Sequence, residues 1–245
     1  MVVISDSIAD PNTTLSAVVA EVFCEAADIL EKADDFDVAV HDLIKKYMTE
    51  HQRIIFNGDG YSDAWVEEAA RRGLPNIRSM VESSCALTTE KAIKLFEKFH
   101  IFTKVELESR EEVLYETYSK CINIEALTMI DMAKKQILPA VIKYTKSLAD
   151  TVIAVKEAGA DASVQTELLN DISAKLVEAK KALSTLEDRV AASSKIATQK
   201  ELAFFFKDEV VVAMEALRTP VDELEMLVDK EVWPIPTYGD LIFEV

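Results

Sequence analysis

Glu97 and His100 stand three residues apart, the spacing at which one helical turn aims a carboxylate and an imidazole at a shared metal, as in di-iron bundles. That chemistry needs the pair twice, with two further carboxylates. His41 and His51 have no glutamate three residues before them, so Glu97 and His100 read as an ordinary surface pair. Asn57, Asp59, Tyr61, Asp63 and Glu68 fall at positions 1, 3, 5, 7 and 12 of a calcium loop, but Ser62 replaces the glycine that position 6 requires. The stretch reads better as a turn followed by a helix cap. Neither GxGxxG nor the Walker pattern is present, so these glycines do not form a nucleotide loop. There is no GxSxG, and three scattered histidines define no triad. Met129 and Met132 read as packing between helices, and the acidic excess as a solvated surface from which no general acid and base pair stands out. Taken alone, the residues describe a non-catalytic helical body.

The composition narrows the classes further. Lys and Arg number 27 against 44 Asp and Glu, a formal charge of −17, and such a field repels phosphate backbones and anionic lipid. No nucleic-acid or membrane partner is expected. Five Gly and six Pro in 245 residues are too few turns for a sandwich or barrel. Cys24, Cys85 and Cys121, widely spaced and without CxxC, read as reduced thiols rather than a disulfide framework or zinc site. The N-terminus lacks a signal-peptide pattern, and no apolar run reaches membrane-spanning length, so a cytoplasmic protein is expected.

The elements that would carry these residues are helices. Val2 to Ile4 read as a strand end, and Pro11 predicts a helix starting near Thr13. From there Leu15, Val18, Val19, Val22, Phe23, Ala26, Ile29 and Leu30 form one apolar face. A second helix, about Asp37 to His51, is expected to bury Val40, Leu43, Ile44, Tyr47 and Met48. Arg53 to Phe56 read as a short β-like run, and Ser62 caps a helix stopped by Gly73 and Pro75. Thr88 or Thr89 opens the next helix, with Ile93, Leu95, Phe96 and Phe99, and Thr103 with Glu106 form a capping box.

Beyond Leu127 the pattern changes in kind. Ile130, Ile137, Val141, Tyr144, Leu148 and Val155 recur at alternating steps of three and four until Gly159. Leu169, Ile172, Leu176, Ala179, Leu183, Leu186 and Val190 repeat the spacing. Val210, Met214, Leu217, Val221, Leu224 and Val228 do so again, after a second capping box at Thr198 and Glu201. Three helices of this period, separated by short joints, predict antiparallel coiled-coil-like packing, with kinks at Pro139 and Pro220. The fold class is therefore all-α: an N-terminal set of shorter helices over 1–102, an elongated antiparallel bundle of long helices over 103–236, and an extended, docked C-terminal tail over 237–245. Pro234 and Pro236 end the last helix, and Tyr238, Leu241, Ile242 and Phe243 supply the tail's apolar anchors.

Five segments in order give the chain a family resemblance: SIADPN with TTLSAVVAEV, RIIFNGDGYSDAWVEEAARRGLPN, YSKCINIEALTMIDMAKKQILPAVIKY, SVQTELL, and VWPIPTYGDLIFEV. Together they resemble the C-terminal portion of type III glutamine synthetase, over nearly the whole chain. Asp10 departs from the glycine usual there. The resemblance implies a parent reaction that ligates ammonia to glutamate at the expense of ATP, with magnesium or manganese. It places the metal, ATP and glutamate sites upstream, so no catalytic, cofactor-binding or metal residue of the family has a counterpart here. In that reading Thr13 to Lys32 resemble the last catalytic-domain helix, and whether the chain counts as an enzyme is open. The implied partners are the catalytic domain and neighbouring subunits of a homo-oligomer built from stacked hexameric rings. A stand-alone helical interaction protein is the alternative, and a di-metal carboxylate bundle a third.

Overall fold

The computed structural model describes residues 8–236 and 238–243. Val2 to Ile4 lie outside them. All described regular structure is helical: α1 (Ala9–Leu30), α2 (Phe36–Glu50), α3 (Asp63–Arg71), α4 (Met80–Ser84), α5 (Glu90–Lys98), α6 (Lys104–Met132), α7 (Leu138–Glu157), α8 (Ser163–Ser193), α9 (Gln199–Phe205), α10 (Val211–Leu227) and α11 (Tyr238–Phe243). A 3₁₀ turn covers Gln52–Ile54, and π-helical turns cover Ala133–Ile137 and Phe206–Val210.

Helix starts follow side-chain chemistry. Asp35, Ser62, Ser79, Thr89 and Thr198 each accept a hydrogen bond from the backbone N–H three residues on. At Thr103 the capping box is reciprocal: the Glu106 N–H donates to Thr103 Oγ1 at 3.4 Å and the Thr103 N–H to Glu106 Oε2 at 2.8 Å. Three helices end in the same double bond. After α5, α3 and α7, residues His100, Gly73 and Gly159 take φ of 53°, 69° and 77°. In each, that residue's N–H and the next close back on the last turn, as in Ile101 to the Phe96 carbonyl at 3.0 Å.

Chain contacts divide the protein into two units, Met1–Glu111 and Glu112–Val245, with the division falling inside α6. In the second unit α8 packs against both α7 and α10. Arg189 reaches Glu209 at 3.3 Å, and Lys175, earlier on α8, reaches Glu223, later on α10, at 2.7 Å. Such reversed order is what antiparallel helices produce. One core runs through this unit, with Ile137, Val141, Ile172, Leu183, Leu186, Val210, Leu217 and Leu224 buried, and Tyr144, Leu148, Leu176, Val190, Met214 and Val221 packed against it. In the first unit Ala17, Phe96 and Leu107 form a small cluster with Ile93, Leu95 and Phe102 around it.

Four expectations need correction, and the chain before Pro139 shows a local feature the sequence did not announce. The first helix starts at Ala9, because Pro11 lies in the first turn, where the missing N–H has no intrahelical acceptor to lose. No strand forms at Arg53 to Phe56, since the carbonyls of Arg53 and Ile55 are taken by the Arg72 guanidinium at 3.3 and 2.7 Å. On α2 only Leu43 is buried, while Ile44 and Met48 are exposed. Pro139 is preceded by a π-helical turn in which the Leu138 N–H donates to the Ala133 carbonyl, so the ladder widens just before the residue that cannot donate. The tail is not extended: α11 is a helical turn in which Leu241, Ile242 and Phe243 are exposed, and the Lys230 ammonium holds Asp240 at 2.5 Å.

Candidate functional site

The residues with the most suggestive chemistry are occupied in building the fold. Glu97 accepts a hydrogen bond from the Lys104 N–H at 3.1 Å, at the start of α6, and His100 is the left-handed joint after α5. They end one helix and begin the next. In the calcium-like stretch, Asp59 accepts from the Tyr61 N–H at 2.9 Å, and Ser62 Oγ donates to the Asp59 carbonyl at 2.8 Å and caps α3. Turn plus helix cap is therefore what this segment makes. Glu68, its last carboxylate, accepts from Arg71 at 2.6 and 2.7 Å and from Arg72 at 2.5 Å. These hydrogen bonds pull its pKa from 4.5 down to about 2. Arg72 also lies 5.6 Å from the centre of the Trp65 ring, which stacks on Phe56 at 4.2 Å. A Cβ on Gly58 would stand 2.7 Å from that Phe56 ring. Arg72, Trp65 and Phe56 thus clamp the loop to α3. Among the described residues no group of three His, Cys, Asp or Glu could hold a metal, and no helix is long and apolar enough to cross a membrane.

What stands out is a surface. On α1, Ala17 is buried against the α5 side of the first unit. The same stripe carries Glu21, whose carboxylate holds the Lys98 ammonium at 2.5 Å and raises its pKa, and Asp10, 3.7 Å from Arg110. At about 100° per residue, Leu15, Val19 and Val22 lie within about 40° of the direction opposite Ala17. Leu15, Val18, Val19, Val22, Phe23 and Ile29 are 42% to 69% exposed. This helix is mounted on the unit by its small and charged stripe, and its aliphatic face points outward. Exposed Ile44 and Met48 on the neighbouring α2 add to the apolar surface of this unit. Contiguous aliphatic surface of this kind marks contact sites rather than solvent faces.

The sequence predicted the face and could not predict its direction. Periodicity locates an apolar stripe without saying which polypeptide covers it. The available signal was the opposite stripe, where small Ala17 and Cys24 allow close approach to a neighbouring helix and Asp10 and Glu21 offer ion pairs.

These observations define an all-α protein of two units, one with a continuous core and one that turns its apolar surface outward. Residues 39–156 match the glutamine synthetase C-terminal domain, and α1 lies before that match. A glutamine synthetase of Butyrivibrio fibrisolvens is 34% identical over 214 residues, which are 86% of this chain and 31% of the relative. The type-3 glutamine synthetase of Dictyostelium discoideum is 33% identical over 222 residues, covering 86% of the chain and 30% of its own length. A glutamine synthetase of Bacteroides fragilis is 30% identical over 221 residues, which are 88% of this chain and 30% of the relative. The chain therefore matches the glutamine synthetase C-terminal domain over 39–156 and is similar over most of its own length to glutamine synthetases, one of them a type-3 enzyme. It spans about a third of the length of the curated relatives it matches.

Proposed function

We propose that this chain is the C-terminal helical region of a type III glutamine synthetase and acts in assembly rather than in chemistry. The parent enzyme would join ammonia to glutamate using ATP, in the cytoplasm and as a homo-oligomer. ATP and its divalent metal would be held by the part of the enzyme that this chain does not span. The observation that carries the reading is the outward aliphatic face of α1. Six large apolar side chains on a single helix are left partly in water, although fully burying each would contribute roughly 1.5 to 3 kcal/mol. A neighbouring surface of the same enzyme, the catalytic domain first, is the natural cover. The relatives are about three times as long as the matched region, and α1 ends at Leu30, ahead of the C-terminal domain match that begins at residue 39.

Co-expression tests it. The chain should co-elute with the amino-terminal two-thirds of the Butyrivibrio relative, and the pair should carry γ-glutamyl transferase activity that the chain alone lacks. Val19→Asp with Val22→Asp should abolish co-elution while leaving the helical content of the isolated chain unchanged, since both sites are exposed in it. Equal co-elution of parent and variant would remove α1 from the interface, and turnover by the repurified chain alone would overturn the non-catalytic reading.

A further inference from the structure

The two units differ sharply in how they use their apolar residues. Among the described residues, the second unit buries twenty-one hydrophobic side chains and leaves twelve large ones exposed, whereas the first buries five and exposes seventeen. The five, Ala17, Leu43, Val81, Phe96 and Leu107, are not even one cluster, because Leu43 and Val81 lie outside the Ala17, Phe96 and Leu107 group. Helices of 22, 15 and 9 residues, as α1, α2 and α3 are, owe their stability to tertiary packing and are marginal without it. A unit with this little buried apolar surface does not offset the entropy of ordering its backbone.

We infer that the first unit is ordered by docking, so that its folding is coupled to assembly while the second unit folds independently. The partner rests on the reading above: the remaining portion of a glutamine synthetase chain, seated on the aliphatic face of α1. Burial of Leu15, Val19 and Val22 would fix α1. Through Ala17 and the Glu21 to Lys98 ion pair, α1 would then fix α5. A segment that gains its order on binding is a switch: an unassembled chain keeps the first unit open to proteases and chaperones, and an assembled one closes it.

The local contacts that need no partner mark the limits of the opening. The Arg72 clamp on Trp65, Glu68 and the carbonyls of Arg53 and Ile55 involves only residues within one short segment and should persist as an island of local order.

Hydrogen exchange on the whole chain, followed by mass spectrometry, reads this directly. Alone, the amides of α1 and α2 should exchange faster than those of α8 and α10 by about two orders of magnitude or more. On addition of the amino-terminal two-thirds of the Butyrivibrio relative, α1 and α2 should slow to the level of the bundle, with α8 unchanged. Uniform protection of both units in the chain alone would overturn the inference and leave the docking reading intact. Co-elution with the added fragment without slowing of α1 and α2 would also overturn it. Failure of the fragment to bind at all would instead count against the partner named in the proposed function.

Discussion

Leu176 and Leu183 occupy equivalent places in the apolar repeat, seven residues apart on α8, so periodicity alone assigns them equal weight. The structure separates them. Leu183 is 0% exposed inside the bundle core, whereas Leu176 is only partly buried, beside Lys175, which bridges to Glu178 and Glu223 at 2.9 and 2.7 Å. Leu183→Ala removes three buried heavy atoms at a site ringed by other helices and leaves a cavity, so a loss near ~3 to 4 kcal/mol is expected. For a unit of this size, that lowers the melting temperature by roughly 10 °C. Leu176→Ala loses contacts on one side only and can let water in, so about 1 to 2 kcal/mol is the expected cost. The assay is urea unfolding followed by circular dichroism at 222 nm, fitted to the more stable of two transitions. Equal losses at the two positions would refute the burial difference, and a loss at Leu183 below about 1 kcal/mol would refute its place in the core.

Other outcomes follow from single contacts. Glu68 has its pKa lowered by hydrogen bonds from Arg71 and Arg72, so its stabilisation of the loop clamp is complete above pH 4.5 and is lost as pH falls towards 2. Trp65 fluorescence should report an acid transition in that window, absent in Glu68→Gln. His100 holds φ of 53°, a left-handed conformation that costs a non-glycine residue roughly 1 to 2 kcal/mol, so His100→Gly should stabilise the first unit by about 1 kcal/mol. A lower midpoint in urea for the first unit of the co-purified complex would contradict that. Gly58→Ala would bring its methyl onto the far end of the Phe56 ring, itself stacked on Trp65, so the ring should shift and change Trp65 emission. Unchanged emission would place the clash elsewhere.

Much of this fold could be read from local chemistry. Thr103 with Glu106, and Thr198 with Glu201, announced helix starts because their side chains bond the very backbone groups a helix end leaves open. Gly73 and Gly159 announced stops because only a left-handed residue closes the last turn that way. The long helices of the second unit were legible because their apolar stripes bury one another within the chain. Legibility failed where an apolar stripe is not buried by that self-contained packing. The stripe from Leu15 to Ile29 has the same periodicity whether its cover is α5 or another polypeptide, and only the position of Ala17 distinguishes the two. The π-helical turn at Phe206–Val210 also escaped, since no Gly or Pro there breaks the α-helical pattern, whereas Pro139 at least marked its neighbourhood. Two prolines and the apolar residues that follow them predict a docked tail. For Leu241 to Phe243 the same composition sits on an exposed helical turn.

The proposed function makes the outward face of α1 an internal surface of a glutamine synthetase. An electron cryomicroscopy map of the co-purified complex tests it most directly. Leu15, Val19 and Val22 should be in van der Waals contact with the added amino-terminal portion and closed to water. A well-resolved complex in which those three side chains still face solvent would contradict it.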